Sequence, residues 1–216
     1  MSSTNAALSI VSPPAKIGLI VCSQRKPRAG LQISTFVLSS LQQHSPAPSH
    51  KPYTLHLIDL ADHPLPLFDE PGVPSKIHNS AEYVHEHTRA WSALISSFDA
   101  FIFVTPQYNW GYPASVKNAI DYLFNEWKRK PGMVVSYGGH GGGKAGAQLK
   151  QVLHGLDMRV VEKNVGLMFP DRGFLVKAAR GEELGLNAER KDEGPWAKER
   201  EEIGVAFEEL LTLLDA

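Results

Sequence analysis

Cysteine is almost absent from this sequence, because Cys22 is the single cysteine among 216 residues. One thiol can form neither an internal disulfide nor a cysteine-rich zinc site. An excess of one charge is also lacking, since 22 basic and 23 acidic residues give a formal net charge of -1. Such a balance provides no global basic field for nucleic acid. We therefore expect a protein of a reducing, cytoplasmic environment with no nucleic-acid partner.

Long apolar runs are missing as well. No stretch approaches the roughly 20 apolar residues that cross a bilayer, so we expect no membrane span. Residues 1–15 lack both a basic start and a long apolar stretch, which predicts a flexible leader and argues against a secretory signal. The remaining composition, 43 % hydrophobic and 21 % charged, is typical of a globular protein with one sizeable core.

Short apolar runs alternate along the chain with segments of helical periodicity. Strands are predicted at residues 17–21, 53–60, 100–104, 133–135 and 158–168, and helices at 31–43, 81–97, 113–127, 144–155 and 196–214. This alternation predicts an α/β fold, a doubly wound five-stranded parallel sheet with helices on both faces.

We assign residues 16–170 to this domain and residues 171–216 to a C-terminal extension. The stretch 171–195 shows no clear pattern. The terminal helix is expected to pack on the same domain through its apolar side chains, which are Ile203, Val205, Leu210, Leu211 and Leu214.

The first of three loops at strand ends spans residues 22–30. Ligands of a doubly wound sheet bind outside the carboxyl ends of its strands, and a helix N-terminus there favours an anion. Charge-assisted hydrogen bonds to a phosphate would come from Ser23, Arg25, Lys26 and Arg28. The alternative interpretation is a solvated basic turn. The pattern G-x-G-x-x-G is missing, which argues against a classical dinucleotide site and leaves Asp59 as a surface carboxylate.

The second loop spans residues 105–113 and follows the most apolar strand. It holds three aromatic residues, two amides and two prolines. Aromatic faces can cover a flat heterocycle, and amide groups can contact its polar edge. The alternative is a rigid aromatic turn that packs on the next helix.

The third loop, residues 137–144, is rich in glycine, which permits close approach of the backbone to a ligand. It fits G-x-x-x-x-G-K, but Ala145 stands where a nucleotide-hydrolysing loop needs Ser or Thr for magnesium. A nucleotide-binding or hydrolysing protein is kept as an alternative. His140 is either a proton donor or an exposed loop histidine. His85 and His87, two residues apart, do not share a helix face, so no metal site is predicted.

Together these loops resemble the NADPH-dependent FMN reductase family of the flavodoxin-like superfamily, and within it the fungal quinone reductases. The likeness is carried by KIGLIVCSQRKPR, FVTPQYNWGYPASVKNAIDYLFNEW, KPGMVVSYGGHGG and QLKQVLHGL. It covers roughly residues 16–170 and implies a flavodoxin-like fold that binds FMN noncovalently. One departure is Cys22, which replaces the glycine of the family's Gly-Ser-x-Arg pattern.

The resemblance also implies which residues hold FMN. Ser23 and Arg25 would bind the phosphate, with Lys26 and Arg28 as lesser candidates. The ribityl chain and the ring would be lined by Pro106, Gln107, Tyr108 and Asn109, and the polar edge of the ring by Ser136, Tyr137, Gly138 and Gly139. Similar family members are homodimers with the flavin near the interface, for which the candidates here are Trp91, Trp110, Tyr112 and Trp127.

The implied activity is transfer of hydride from NADPH or NADH, through FMN, to a quinone or a similar acceptor such as an azo dye, free flavin or a ferric complex. The cofactor performs the difficult chemistry, so no side chain is required as a nucleophile. Tyr108, Tyr137 and His140 are candidates for a hydrogen bond to the acceptor. An FMN-binding electron carrier or regulator with little turnover is the alternative, although carriers of that type tend to be strongly acidic.

Overall fold

The computed structural model describes residues 13–186 and 194–216, so the predicted leader falls almost entirely outside the described residues. The strands are β1 (Ala15–Val21), β2 (Tyr53–Asp59), β3 (Ala100–Pro106), β4 (Pro131–Gly138), β5 (Arg159–Val160) and β6 (Val165–Met168). The helices are α1 (Gly30–Gln42), α2 (Glu86–Ser96), α3 (Ala114–Asp121), α4 (Gly143–Gly155), α5 (Arg172–Arg180) and α6 (Ala197–Asp215).

All strands are parallel and form one sheet in the order β2-β1-β3-β4-β5. The chain runs outward from β1 to β2 and then crosses back to β3, so the strand order reverses beside β1. β6 also pairs with β4, further along that strand than β5. The predicted fifth strand is therefore divided into two short strands on the same side of β4. The predicted doubly wound parallel sheet is confirmed.

Two apolar layers cover the two faces of the sheet. Every residue of β3 is buried, as expected for a central parallel strand covered on both faces. On one face α1, α5 and α6 pack, and on the other α2, α3 and α4. The loops at the carboxyl ends of the strands are thus held between two cores, which fixes their positions relative to one another.

Two helices are shorter than the sequence predicts. α2 begins at Glu86 rather than at residue 81, because Ser80–Glu82 form only a short 3₁₀ turn and the chain then extends and buries Tyr83. α3 ends at Asp121 rather than at residue 127, because the following residues turn and bury Trp127. At both places the burial of a large aromatic side chain outweighs the helical periodicity of the sequence.

The terminal helix α6 buries one face against the sheet. Its fully buried apolar side chains are Ile203, Ala206, Phe207, Leu210 and Leu211, at the spacing of a single helix face. The prediction for Val205 is wrong, because this residue lies on the opposite face and is 54 % exposed. Leu214 packs at the margin of the core. α6 is 19 residues long, yet neither it nor another helix of the described chain is apolar enough to cross a membrane.

A histidine between two carboxylates ties the end of α6 to the loop that precedes β2. His50 Nδ1 lies 2.7 Å from Asp215 Oδ2, and His50 Nε2 lies 3.0 Å from Glu208 Oε2. The other Glu208 oxygen contacts His44 Nε2 at 2.7 Å. Both His50 nitrogens face acceptors, which favours the imidazolium form. The hydrogen bond to Asp215, with that to Glu208, raises the pKa of His50 against the effect of burial.

Candidate active site

Three loops meet at the carboxyl ends of β1, β3 and β4 and enclose a cleft of about 310 Å³. The β1–α1 loop forms one end of the cleft with Arg25, Arg28, Ala29 and Gly30. The β3–α3 and β4–α4 loops contribute Pro106, Gln107, Tyr108, Gly138 and Gly139, and Tyr137 reaches from β4 toward Gly30. The cleft therefore lies where the strand order reverses, which is the position predicted for a ligand of this fold.

At the β1 end, two hydroxyl groups converge on Gly30. A Cβ atom placed on Gly30 would lie 1.9 Å from Ser23 Oγ and 2.8 Å from Tyr137 Oη, so only glycine leaves room for these two hydroxyls. Ser23 Oγ is buried and finds no hydrogen-bond partner of normal geometry within the described chain. Burial raises the pKa of Tyr137. Tyr137 therefore stays protonated and can donate at neutral pH.

Helix α1 begins beside these hydroxyls with its first N–H groups unprotected by a side chain. Its N-cap is Ala29, no side-chain cap is formed there, and the first turn contains no acidic residue. The first N–H groups of a helix have no intrahelical partner, and together with the helix dipole they favour an anion. A phosphate fits this end of the cleft in charge and in hydrogen-bonding capacity.

Arg28 lines the cleft but is engaged with the protein. Its Nη1 and Nη2 donate to Asp59 Oδ1 and Oδ2 at 2.8 and 2.5 Å, and Nη1 also donates to the carbonyl of Ser23. Burial would raise the pKa of Asp59, but the Arg28 guanidinium and the hydrogen bond from the Ala61 N–H together lower that pKa. Asp59 is buried, so its interpretation as a surface carboxylate is wrong: it is the residue that orients Arg28.

Arg25 also lines the cleft, but its guanidinium is bound to α5. Nη1 donates to the carbonyl of Ala179 at 2.9 Å and Nη2 to that of Ala178 at 3.4 Å. Lys26 is exposed and lies outside the cleft lining. Of the four residues predicted for the phosphate, Ser23 is buried against Gly30 and does not itself line the cleft. Arg28 lines the cleft but pairs with Asp59, Arg25 lines it but binds α5, and Lys26 is not brought to it.

The β3–α3 loop carries a tight turn. The backbones of Tyr108 and Gly111 pair in both directions at 2.9 and 3.0 Å. Asn109 and Trp110 between them have φ values of 47° and 70°, which is the conformation of a type I′ turn. Tyr108 lines the cleft, whereas Asn109 is exposed at the tip of the turn and is not part of the lining.

Gln107 connects this loop to α4. Its Oε1 accepts from the backbone N–H groups of Lys144 and Ala145 at 3.1 and 3.3 Å, so the amide caps the helix. The Gln107 NH₂ group then faces away from α4, and its orientation is fixed by the cap. These two N–H groups are the donors that a phosphate would need in a nucleotide-hydrolysing loop. Their engagement argues against the nucleotide alternative.

The glycine-rich loop folds back tightly over the end of β4. Gly142 has a φ of 72°, and a Cβ there would lie 2.8 Å from the backbone N and O of Tyr137. Ser136 Oγ donates to the carbonyl of Gly141 at 2.7 Å, which turns it into the loop and away from the cleft. His140 is exposed and is not among the lining residues. Gly138 and Gly139 are therefore the parts of this loop that a ligand meets.

The structure adds cleft residues that the sequence did not reveal. Gly30 belongs to the loop that was singled out, and a glycine at a helix start could have signalled a close approach. Phe169 comes from the end of β6, and its ring lies 6.4 Å from that of Tyr137. Helix α5, in the stretch without a clear pattern, contributes Leu175, Ala178 and Ala179. No local signal in the sequence connects α5 with the loops.

His85 and His87 lie close together, although residues two apart would not share a face of a helix. His85 precedes α2 with extended backbone, so its ring stacks on that of His87 at 5.1 Å, and both approach Asp69 Oδ1. No group of three or more potential metal ligands is found among residues 13–186 and 194–216. Trp91 and Trp127 are buried within the chain, which removes them as interface candidates.

Comparison with known proteins decides the family. Residues 15–169 match the model of the family described as NADPH-dependent FMN reductase. The chain belongs to this family. It is similar to the NAD(P)H-dependent FMN reductase LOT6 of Saccharomyces cerevisiae, with 44 % identity over 148 residues that cover 68 % of this chain and 77 % of the yeast protein. The NAD(P)H-dependent FMN reductase ntnL of Nectria sp. is 36 % identical over 203 residues, which cover 93 % and 97 % of the two chains.

A solved structure extends the comparison of the fold. FerB, a flavoenzyme NAD(P)H:(acceptor) oxidoreductase from Paracoccus denitrificans, superposes with a TM-score of 0.62 at 20 % identity and covers 93 % of this chain and 97 % of its own. The flavodoxin-like fold is thereby confirmed. Family membership confirms the predicted class of enzyme, an FMN-dependent NAD(P)H oxidoreductase.

Proposed function

We propose that this enzyme passes hydride from NAD(P)H to a quinone-type acceptor in the cleft between the β1, β3 and β4 loops, with FMN held there noncovalently. One observation carries the proposal. At one end of the cleft Gly30 and the start of α1 lie beside the buried Ser23 hydroxyl, and the rest of the cleft is lined mainly by aromatic and glycine residues. This is the division of chemistry that a phosphate attached to a flat ring requires.

The phosphate of FMN fits the end of the cleft at Gly30. Ser23 Oγ and Tyr137 Oη are two potential donors that approach Gly30. The unprotected N–H groups of α1 add positive potential, whereas the charge of Arg28 is paired with Asp59. Cys22, in place of the family's glycine, is fully buried beneath the loop and points away from this space, donating to the carbonyl of Ile20. Its thiol therefore leaves the phosphate end open.

The ring fits the other end of the cleft. Pro106, Gln107 and Tyr108 would contact it from the β3 side, and Gly138 and Gly139 would allow close approach from the β4 side. When bound, FMN supplies the two-electron chemistry that no side chain of the protein can provide. The protein's own residues bind and orient it: the capped Gln107 amide holds a fixed NH₂ donor, and the aromatic walls exclude water.

The acceptor is proposed to be a quinone because a quinone takes up two electrons and remains closed-shell. An azo dye, free flavin or a ferric complex would be reduced at the same place. Tyr108, which lines the cleft, is the candidate donor of a hydrogen bond to the acceptor. Tyr137 is placed at the phosphate end by its contact with Ser23 and Gly30, and His140 lies outside the lining.

The deciding experiment is the absorption spectrum of the purified protein, followed by anaerobic addition of NADPH and then of a quinone. Flavin bands that bleach with NADPH and return with the quinone are expected. Flavin that binds but does not bleach would favour an electron carrier or regulator. A colourless protein that does not take up added FMN would overturn the proposal. Repeating the titration with NADH establishes which nucleotide is preferred.

We further propose a homodimer with the cleft near its interface. Trp110 supports this arrangement, because it is 69 % exposed and is held at a φ of 70°, which is unusual for a bulky residue and recurs at functional sites. Tyr112, two residues on, is half-buried beside it. Sedimentation velocity should give the mass of a dimer that is weakened by Trp110→Ser. A monomer at micromolar concentration would overturn the proposal.

A cytoplasmic location is proposed as well, and the free thiol of Cys22 supports it. Fractionation of cells that express the full chain should recover it with soluble cytoplasmic markers. Recovery with a membrane or an organelle fraction would contradict this location.

A further inference from the structure

Helix α5 lies along the cleft, beyond the residues that match the family model. Leu175, Ala178 and Ala179 stand at positions i, i+3 and i+4, which is one face of a helix, and all three line the cleft. The start of this face reaches the β4 end, since Leu175 Cδ1 would lie 3.3 Å from a Cβ on Gly139. Nine residues of helix extend about 13 Å, enough to run along the cleft from the ring end to the phosphate end.

The far end of α5 is fastened to the β1–α1 loop. Arg25 donates to the carbonyls of Ala178 and Ala179, which are among the last carbonyls of the helix. Gly181 follows with a φ of 67° and packs so closely that a Cβ would lie 2.9 Å from Pro27 Cβ. A cation on these carbonyls also complements the helix dipole.

Gln32 of α1 holds the segment that follows α5. Its Nε2 donates to the carbonyl of Glu182 at 3.0 Å, and its Oε1 accepts from the N–H of Leu184 at 3.0 Å. Both edges of one amide are used, so this side chain is dedicated to the attachment. At the near end, Asp171 caps α5 through the N–H of Phe174, whose buried ring packs on Trp196 at 5.3 Å.

We propose that α5 is the outer wall of the cofactor cleft and that Leu175 is a specificity-determining residue for the acceptor. The proposal rests on the proposed function, because it assumes that the acceptor enters at the ring end. Leu175 faces Gly139 there, and its apolar side chain narrows the opening between the β4 loop and α5. Acceptors broader than the opening are excluded by this side chain, while narrow ones pass.

The first experiment compares Leu175→Ala with Val176→Ala. Val176 lies on the same helix but outside the cleft lining, so its variant controls for loss of apolar volume on α5. Turnover is measured with NADPH and with quinones of one, two and three fused rings. We expect Leu175→Ala to raise kcat/KM for the three-ring quinone about tenfold relative to the one-ring quinone, a discrimination typical of a few methylene groups. An unchanged ratio, or the same change in Val176→Ala, overturns the proposal.

The second experiment does not depend on turnover. Gln32→Ala is compared with Gln42→Ala, an exposed glutamine near the end of the same helix. Loss of the two Gln32 bonds should speed amide hydrogen exchange in residues 174–184 by about tenfold and hasten the release of FMN from the holoprotein. If amide exchange and FMN release in Gln32→Ala equal those in Gln42→Ala, the proposal that α5 forms the outer wall of the cleft is overturned.

The two experiments separate failure of the inference from failure of the proposed function. If the wild-type protein binds FMN but oxidises NADPH with none of the quinones, the proposed acceptor class is wrong, and with it the role of Leu175. The exchange and release measurements still decide whether α5 closes the cleft.

Discussion

Replacement of Ser23 by alanine should have opposite effects on the protein without FMN and on the affinity for FMN. The Ser23 hydroxyl is buried and has no hydrogen-bond partner of normal geometry among the described residues. A buried polar group without a partner costs about 1–3 kcal/mol of stability. Ser23→Ala removes this cost and leaves a small void, so the free energy of unfolding of the apoprotein should be unchanged or higher by about 1 kcal/mol.

The affinity for FMN should fall in the same variant. A hydrogen bond to a charged group contributes about 1.5–3 kcal/mol, which corresponds to a roughly ten- to hundredfold rise in Kd. Kd is measured from the quenching of FMN fluorescence, and stability from urea unfolding of the apoprotein. Ser34→Ala is the matched control, because the Ser34 hydroxyl on α1 is also buried and unpartnered among the described residues but is not one of the two hydroxyls that approach Gly30. It should resemble Ser23→Ala in stability and the wild type in affinity.

Two results would refute this reasoning. An unchanged Kd in Ser23→Ala would show that the hydroxyl does not contact the phosphate. A clear loss of apoprotein stability would show that the hydroxyl is satisfied before FMN binds.

Three further predictions concern stability and are checked by urea unfolding. Gly142→Ala should lower the free energy of unfolding by at least about 2 kcal/mol, because the φ of Gly142 is positive and an added Cβ would meet backbone atoms. Gly143→Ala is the control: an added Cβ there meets nothing within 4 Å, so the loss should be less than about 1 kcal/mol. Equal losses in the two variants would contradict the tight loop. Asp59→Asn should lower the free energy of unfolding by about 1–3 kcal/mol, because it leaves the partly buried Arg28 guanidinium without its carboxylate partner. An unchanged free energy of unfolding would mean that the pair is dispensable. Because the pKa of His50 is raised in the folded protein, the stabilisation that His50 contributes is fully present below its unfolded-state pKa and is lost as the pH rises through its folded-state pKa. Stability should therefore decline above neutral pH less steeply in His50→Gln than in the wild type, and parallel pH profiles would contradict this role.

Much of the fold was predictable because each element carries its own signal. β3 is apolar at nearly every position, which is the pattern of a strand buried on both faces, and the structure buries all of it. The helix boundaries were less accurate. The burial of Tyr83 and Trp127 is decided by the neighbouring elements, and periodicity within one segment contains no information about them.

The candidate site was likewise predictable only in part. The three loops could be located because ligands of this sheet bind at the carboxyl ends of its strands. The role of each side chain could not. Arg25 and Arg28 are equivalent in a sequence, yet one caps α5 and the other pairs with Asp59, 31 residues away along the chain.

By itself, the sequence determined that this chain forms a parallel α/β sheet, that three of its loops meet at one edge, and that it belongs to a family of FMN reductases. These properties follow from local patterns of apolar residues and from motifs that lie within single loops. The tertiary structure alone decided that Ser23 and Tyr137 meet at Gly30, that Ser136 and His140 lie outside the cleft lining, and that α5 lines the cleft. Each of these depends on contacts between residues far apart in the chain, and their geometry is fixed only when the two cores pack on the sheet.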